Sequence, residues 1–271
     1  MTRQAVQRIG IAGLGAIGQE LALAFDEGVP GFRLTAVSAR NQEKADAFLG
    51  TLKTSVKLVP LADLAEHADI VVECAPAELL SVILEPVVAA GKRAVVLSAG
   101  ALLEHPELVE QCTKTGAQLM VPTGALIGLD AVTAAAEGTI RSVRMVSRKP
   151  PTGLLGAPFL KDRGIDISNL KEPLKLYEGT ARGAAKGFPA NLNVAIALSL
   201  AGIGPDRTTL QVWADPGVVR NTHTIEVDSD SASFSMTIEN IPSDNPKTGR
   251  ITAKSVIALL RKMSAPLRVG T

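Results

Sequence analysis

Gly13-Leu14-Gly15-Ala16-Ile17-Gly18 follows the apolar run Ile9-Gly10-Ile11-Ala12 and precedes Gln19-Glu20-Leu21-Ala22-Leu23-Ala24-Phe25, a stretch with helical character. Glycines spaced as G-x-G-x-x-G between a strand and a helix let bare backbone approach a diphosphate. The helix N-terminus adds free N–H groups and the positive end of its dipole. A glycine turn that merely joins a strand to a helix is the plain alternative. Here the strand, the helix and the N-terminal position all agree with a dinucleotide site, so Gly13, Gly15, Ala16, Ile17 and Gly18 are cofactor-binding candidates.

Downstream, Leu34-Thr35-Ala36-Val37, Asp69-Ile70-Val71-Val72-Glu73-Cys74, Ala94-Val95-Val96-Leu97-Ser98 and Gln118-Leu119-Met120-Val121 read as parallel strands separated by helical stretches. Right-handed crossovers between them give a doubly wound α/β sheet. Ligands collect at the C-terminal ends of such strands, where Gly13 to Gly18, Cys74-Ala75-Pro76 and Ser98-Ala99-Gly100-Ala101 fall. Cys74 and Ala75 therefore join the cofactor-binding candidates, with a small buried thiol as the competing role for Cys74.

After Pro122 the pattern changes to a period of two. Val143 and Met145 alternate with Ser142 and Arg144, His223, Ile225 and Val227 with Thr222, Thr224 and Glu226, and Phe234, Met236 and Ile238 with Ser235 and Thr237. Such alternation marks half-buried antiparallel strands. Between them Ala181 to Ala201 reads as one helix with Pro189 near its beginning or at a kink. A second α+β domain with a largely antiparallel sheet follows. Residues 252–261 have helical spacing after the turn Asp244-Asn245-Pro246-Lys247. The expected organisation is 1–122 for dinucleotide binding, 123–241 for a second domain, and 242–271 for a C-terminal helix packing back on the first.

Composition narrows the partners. The chain has 271 residues, 28 Lys plus Arg against 27 Asp plus Glu, and a net charge of +1. That balance, without a basic run interleaved with aromatics, argues against a nucleic-acid or membrane surface. The 46% apolar fraction with only 3% aromatics means a core of Ala, Val, Leu and Ile, which suits parallel strands covered by helices. No stretch approaches the ~18–20 apolar residues of a membrane span, and Met1-Thr2-Arg3-Gln4 lacks a signal-peptide apolar region. The expectation is a cytoplasmic protein. Cys74 and Cys112, the two cysteines, form no C-x-x-C, and no HExxH occurs, so no metal site is expected.

The three histidines allow elimination. His67 and His105 lie in polar surroundings and read as solvated. His223 shares a strand face with Ile225 and Val227, where two roles fit: a core histidine bonded to a carbonyl or to Thr, or a general acid/base exchanging protons near neutral pH. In Lys186-Gly187-Phe188-Pro189-Ala190-Asn191-Leu192-Asn193, two asparagines beside a lysine can bind a carboxamide and a carboxylate. N-capping explains one asparagine but not readily both. Pro122-Thr123-Gly124-Ala125-Leu126-Ile127-Gly128 offers small residues for a flat ring, or a plain hinge.

Taken in order, G-L-G-A-I-G, S-A-G-A-L, P-T-G-A-L-I-G-L-D, G-A-A-K-G-F-P-A-N-L-N-V-A, N-T-H-T-I and N-P-K-T resemble the L-aspartate dehydrogenase family over nearly the whole chain. The first motif is shared with many dehydrogenases, whereas K-G-F-P-x-N-x-N-V-A followed by N-x-H is specific. The resemblance implies an N-terminal Rossmann domain, a catalytic and oligomerisation domain, a homo-oligomer, and reversible NAD(P)-dependent conversion of L-aspartate through iminosuccinate to oxaloacetate and ammonia. Supplying iminosuccinate for NAD biosynthesis is one use of that reaction. It also implies that His223 is catalytic and that Ala125 and Asn191 contact the cofactor, with Asn193 as a second candidate. For the two substrate carboxylates Lys186 comes first. Arg148, Lys149 and Arg220 stand behind it, each read instead as a surface cation.

One stretch departs from an NAD-specific pattern. Such domains carry Asp or Glu at the end of the second strand, ~20 residues beyond the glycines, to hold the ribose hydroxyls. This chain reads Val37-Ser38-Ala39-Arg40-Asn41. Arg40 would attract a 2′-phosphate while Ser38 and Asn41 hydrogen-bond it, so NADP is expected to be accepted beside NAD. Arg40 stacking on adenine is the alternative. Competing functions are a related reductase of another small dicarboxylate or cyclic imine, as in dihydrodipicolinate reductase and homoserine dehydrogenase relatives, and a non-catalytic NADP-binding sensor. The presence of His223 argues against the sensor.

Overall fold

The computed structural model describes residues 5–189, 192–243 and 249–271. The chain forms two compact units, one running to Pro122 and taking in Ala253–Arg268, the other holding Thr123–Thr252 with Val269–Thr271.

The first unit alternates strand and helix: β1 (Gln7–Ala12), α1 (Ala16–Glu27), β2 (Phe32–Ser38), α2 (Gln42–Leu49), β3 (Lys57–Leu58), α3 (Leu64–His67), β4 (Ile70–Glu73), α4 (Leu80–Ala89), β5 (Arg93–Val96), α5 (Ala99–Leu102), α6 (Pro106–Thr115) and β6 (Gln118–Met120). All six strands are parallel, in the order β3-β2-β1-β4-β5-β6. The order reverses beside β1, so the ends of β1 and β4 lie where a doubly wound sheet opens a crevice. Near-continuous apolar strands are buried on both faces. Ile9, Ile11, Ile70 and Val72 pack with Leu21 and Phe25 of α1. Val71, Ala94 and Val96 pack on the opposite face with Leu64 of α3 and Leu80, Ile83 and Leu84 of α4.

The second unit contains α7 (Leu129–Ala136), β7 (Ile140–Lys149), α8 (Pro158–Asp162), β8 (Leu174–Thr180), α9 (Ala181–Gly187), α10 (Asn193–Ala201), β9 (Thr209–Ala214), β10 (Asn221–Ser229) and β11 (Ser233–Asn240). Its five strands run β11-β10-β7-β9-β8, antiparallel except for β7 against β9. Strands β8 and β9 were not foreseen. The single helix read over 181–201 is two helices. The Phe188 N–H closes α9 on the Ala184 carbonyl, and Pro189 next in line has no N–H with which to continue. Phe188 itself is fully buried, stacked on Phe159 at 5.0 Å and edge-on to Tyr177 at 6.3 Å. The break thereby delivers an aromatic ring to the core.

The last helix, α11 (Ile251–Ser264), places Ala253, Val256 and Leu260 in the same apolar cluster as Ile9, Leu21 and Phe25. Asn191, half of the paired-asparagine motif, and the Asp244 to Thr248 segment lie outside the described residues.

Candidate active site

In the first unit the glycine run does what its spacing requires. Gly13 sits at φ +100°, where a Cβ would come within 2.8 Å of the Cys74 carbonyl oxygen. A Cβ on Gly18 would overlap the carbonyl oxygen of Gly13, so α1 can begin this close to β1 only without side chains. Gly15, by contrast, faces open space. It is the N-cap of α1, whose first turn has neither a side-chain cap nor an acidic residue. Uncapped N–H groups, a positive dipole end and room for a ligand fit a diphosphate.

Three strand ends meet here. The Gly13 N–H donates to the Ser38 carbonyl at 2.8 Å, and the Cys74 N–H donates to the Ala12 carbonyl at 2.8 Å. The fingerprint, Ser38 and Cys74 are therefore neighbours, while Ala75 follows directly. Burial, then the charge of Glu73, pushes the Cys74 thiol up, so it stays protonated and acts as a small apolar group. Past the end of β2, Arg40 is exposed. Asn41 caps α2 by accepting the Lys44 N–H at 2.9 Å, which leaves its amide nitrogen as the group free to face a ligand.

Sequence reading passed over Glu73. Its carboxylate, fully buried at the end of β4, accepts the Leu97 N–H at 3.0 Å, the Ser98 N–H at 2.8 Å and the Ser98 hydroxyl at 3.0 Å. It thus fixes the turn after β5, one of the loops at the cofactor end of the sheet. Burial raises its pKa while these hydrogen bonds oppose the rise. A carboxylate inside an otherwise apolar strand was the available signal.

The second unit holds the remaining candidate residues. Along β7 the inward residues are Val143, Met145, Ser147 and Lys149, and along β10 they are Asn221, His223, Ile225, Val227 and Ser229. Ser147, Lys149, Asn221 and His223 thus make one end of the shared face polar, next to an apolar stretch at Val143, Met145, Ile225 and Val227. His223 stands directly opposite Ser147 on one side and Ile238 of β11 on the other. It is 2% exposed, and its Nδ1 has no hydrogen-bond partner. Burial first, and the Lys149 ammonium second, hold the imidazole down to about 3, so it is neutral at physiological pH.

Lys149 corrects the surface-cation reading. It is 2% exposed, and burial lowers its pKa to about 8. The other basic candidates are differently placed. Arg148, on the opposite face, pairs with Asp215 at 3.1 Å and covers the Trp213 ring at 4.6 Å. Arg220 forms an exposed pair with Glu239 at 3.6 Å. Lys186 is exposed on the last turn of α9, and Asn193 is the half-buried first residue of α10 rather than its N-cap.

Ala125 is drawn to the polar end by an unforeseen residue. Buried Asn240 donates from Nδ2 to the Ala125 carbonyl at 2.9 Å and to the Asn221 carbonyl at 3.3 Å. One amide thereby ties the Thr123-Gly124-Ala125 turn to the strand that bears His223. Among the described residues no cluster of His, Cys, Asp and Glu could hold a metal, and no helix is long and apolar enough to cross a membrane.

Comparison with known proteins covers both units. The family model for the C-terminal part of aspartate dehydrogenase matches residues 130–263, and that for the NAD-binding domain of homoserine dehydrogenase matches residues 13–122. L-aspartate dehydrogenase 3 of Bordetella bronchiseptica is 66% identical, spanning 97% of this chain and 97% of its own. L-aspartate dehydrogenase of Bradyrhizobium diazoefficiens is 62% identical, spanning 97% and 94%. The crystal structure of aspartate dehydrogenase from Thermotoga maritima shares the fold, with a TM-score of 0.71 at 22% identity over 97% of this chain and 99% of that one.

Proposed function

The chain belongs to the L-aspartate dehydrogenase family, and we propose that it converts L-aspartate to oxaloacetate and ammonia through iminosuccinate with a nicotinamide dinucleotide. Held by the uncapped start of α1, such a cofactor would supply the acceptor for a hydride from the aspartate α-carbon. His223 then takes a proton from the water whose oxygen adds to the imine carbon, and returns it to the nitrogen that departs as ammonia. In the amination direction the same imidazole works in reverse.

The observation that carries this reading is the His223 ring: buried, neutral at working pH, and with a nitrogen left open to a reacting water. A free-enzyme value near 3 makes a weak base. The substrate offsets the smaller of the two causes, because carboxylates arriving beside the buried cation oppose its field and favour imidazolium. The uncapped start of α1 supports diphosphate binding. Exposed Arg40, with Ser38 and the Asn41 amide, supports acceptance of NADP as well as NAD.

The test is aspartate-dependent reduction of NAD and of NADP, measured separately, in wild type and in His223→Ala. Turnover should fall by about 10²–10⁴-fold in the variant while cofactor affinity holds. Normal turnover in His223→Ala refutes the assignment. Wild-type protein that binds cofactor but turns over neither aspartate nor oxaloacetate with ammonia is a sensor, and turnover of a different dicarboxylate or a cyclic imine makes it a related reductase.

A further inference from the structure

We propose that Lys149 is the residue that receives a carboxylate of the substrate, at the buried polar end of the β7–β10 face that it shares with His223. The proposal rests on the dicarboxylate reading above and names the group that such a substrate needs.

Geometry comes first. Ser147 lies opposite His223, and Lys149 is the next inward residue along β7, in the diagonal position at about 7–8 Å between backbones. A lysine stem spans that gap, so its ammonium and the imidazole can share one small ligand. The charge of Lys149 is already felt at His223.

Orphaned polar atoms supply an independent observation. Four buried side-chain atoms in the described residues lack a hydrogen-bond partner: Ser147 Oγ, Thr208 Oγ1, His223 Nδ1 and Asn240 Oδ1. Three of them belong to the polar end of this face, since Asn240 pairs with Asn221 in register, two residues from His223. An unsatisfied buried polar group destabilises a folded protein. Three together beside a buried ammonium mark a place that a ligand completes. The complement is specific: an ammonium and a hydroxyl donate to a carboxylate, while the Asn240 oxygen accepts from an amino group.

Burial also explains why the site favours a substrate with negative charge. At 2% exposure the Lys149 ammonium acts through low-dielectric surroundings, where a carboxylate gains more from it than a neutral analogue does.

Lys149→Met removes the charge at nearly constant length, and Lys149→Arg keeps it. With saturating NAD or NADP, the KM for L-aspartate and the Kd for unreactive succinate should both rise about 10–100-fold in Lys149→Met, the loss expected for one charge-assisted contact. The kcat should change much less, and cofactor Kd should not move. Lys149→Arg should recover most of the succinate affinity. In wild type labelled with ¹³C at lysine Cε, the resonance missing from Lys149→Arg should shift on addition of succinate and not of acetate, a readout that survives if Lys149→Met does not fold. Succinate affinity unchanged in a folded Lys149→Met protein, or a Cε resonance indifferent to succinate, overturns the proposal. Succinate binding that depends on Lys149 in a protein without aspartate turnover overturns the aspartate reading instead.

Discussion

Replacing His223 by glutamine keeps a polar side chain on the inward face of β10 but removes the titrating ring, and the effect should depend on pH. In the folded protein the imidazole is held down to about 3, against its ordinary 6.5. The sign follows from which state binds the proton. Between those two values the unfolded chain is protonated at this position and the folded chain is not, so stability present above 6.5 is lost as the pH falls toward 3. Each pH unit in the window is worth about 1.4 kcal/mol. From 6.5 to 5 the loss from this one residue is therefore about 2 kcal/mol. Lys149 stays protonated throughout, since its value is about 8, and adds no slope of its own there. Equilibrium urea unfolding at pH 7 and at pH 5 reads the difference directly: the wild type should lose about 2 kcal/mol more than His223→Gln between the two. Parallel losses would mean that the imidazole protonates freely in the folded state, and the argument for a buried neutral base would fall.

Arg40→Asp should shift the NAD-to-NADP ratio of kcat/KM toward NAD by about 10–100-fold, as one charge-assisted phosphate contact is replaced by a repulsive carboxylate. An unchanged ratio would mean that Arg40 stacks on adenine or faces solvent. Gly18→Ala drives a methyl group into the Gly13 carbonyl and should separate α1 from β1. Cofactor fluorescence titration should show affinity largely lost, and melting should show destabilisation of about 1–3 kcal/mol. Wild-type affinity in that variant would refute the close approach.

Elements whose residues repeat one simple pattern were legible in the sequence. The parallel strands β1, β2, β4 and β5 announced themselves as apolar runs because both of their faces are largely covered, and β6 continued the series as a half-buried edge strand. Strand β3 has two residues, too few for any period. Strand β9 does alternate, Leu210, Val212 and Ala214 inward against Thr209, Gln211 and Trp213, but a six-residue strand after a helix was easy to pass over. Strand β8 carries a register shift between Lys175 and Tyr177 that breaks its period. Lys149 was misread for a different reason. It follows Arg148 and precedes two prolines, which suggests a charged surface turn, yet the alternation begun at Val143 and Met145 passes through Ser147 and puts it inside. Asn240 gave no local signal, since its role depends on a turn more than a hundred residues away. Motif order singled out Ala125 and His223 as candidates without showing what holds the first or what surrounds the second.

The place of α11 in the first unit bears on how the protein comes to be made. Pro122 ends that unit's sheet, but the helix that adds Ala253, Val256 and Leu260 to its apolar layer leaves the ribosome about 130 residues later. At roughly 5–20 residues per second the nascent sheet spends roughly 7–26 s without that cover. Its Ile9 and Leu34 face is a hydrophobic surface exposed by the order of synthesis, and the whole second unit is made while it waits. A chain stopped before Ala253 would keep the glycine run and lack the part of its apolar layer that Ala253, Val256 and Leu260 supply.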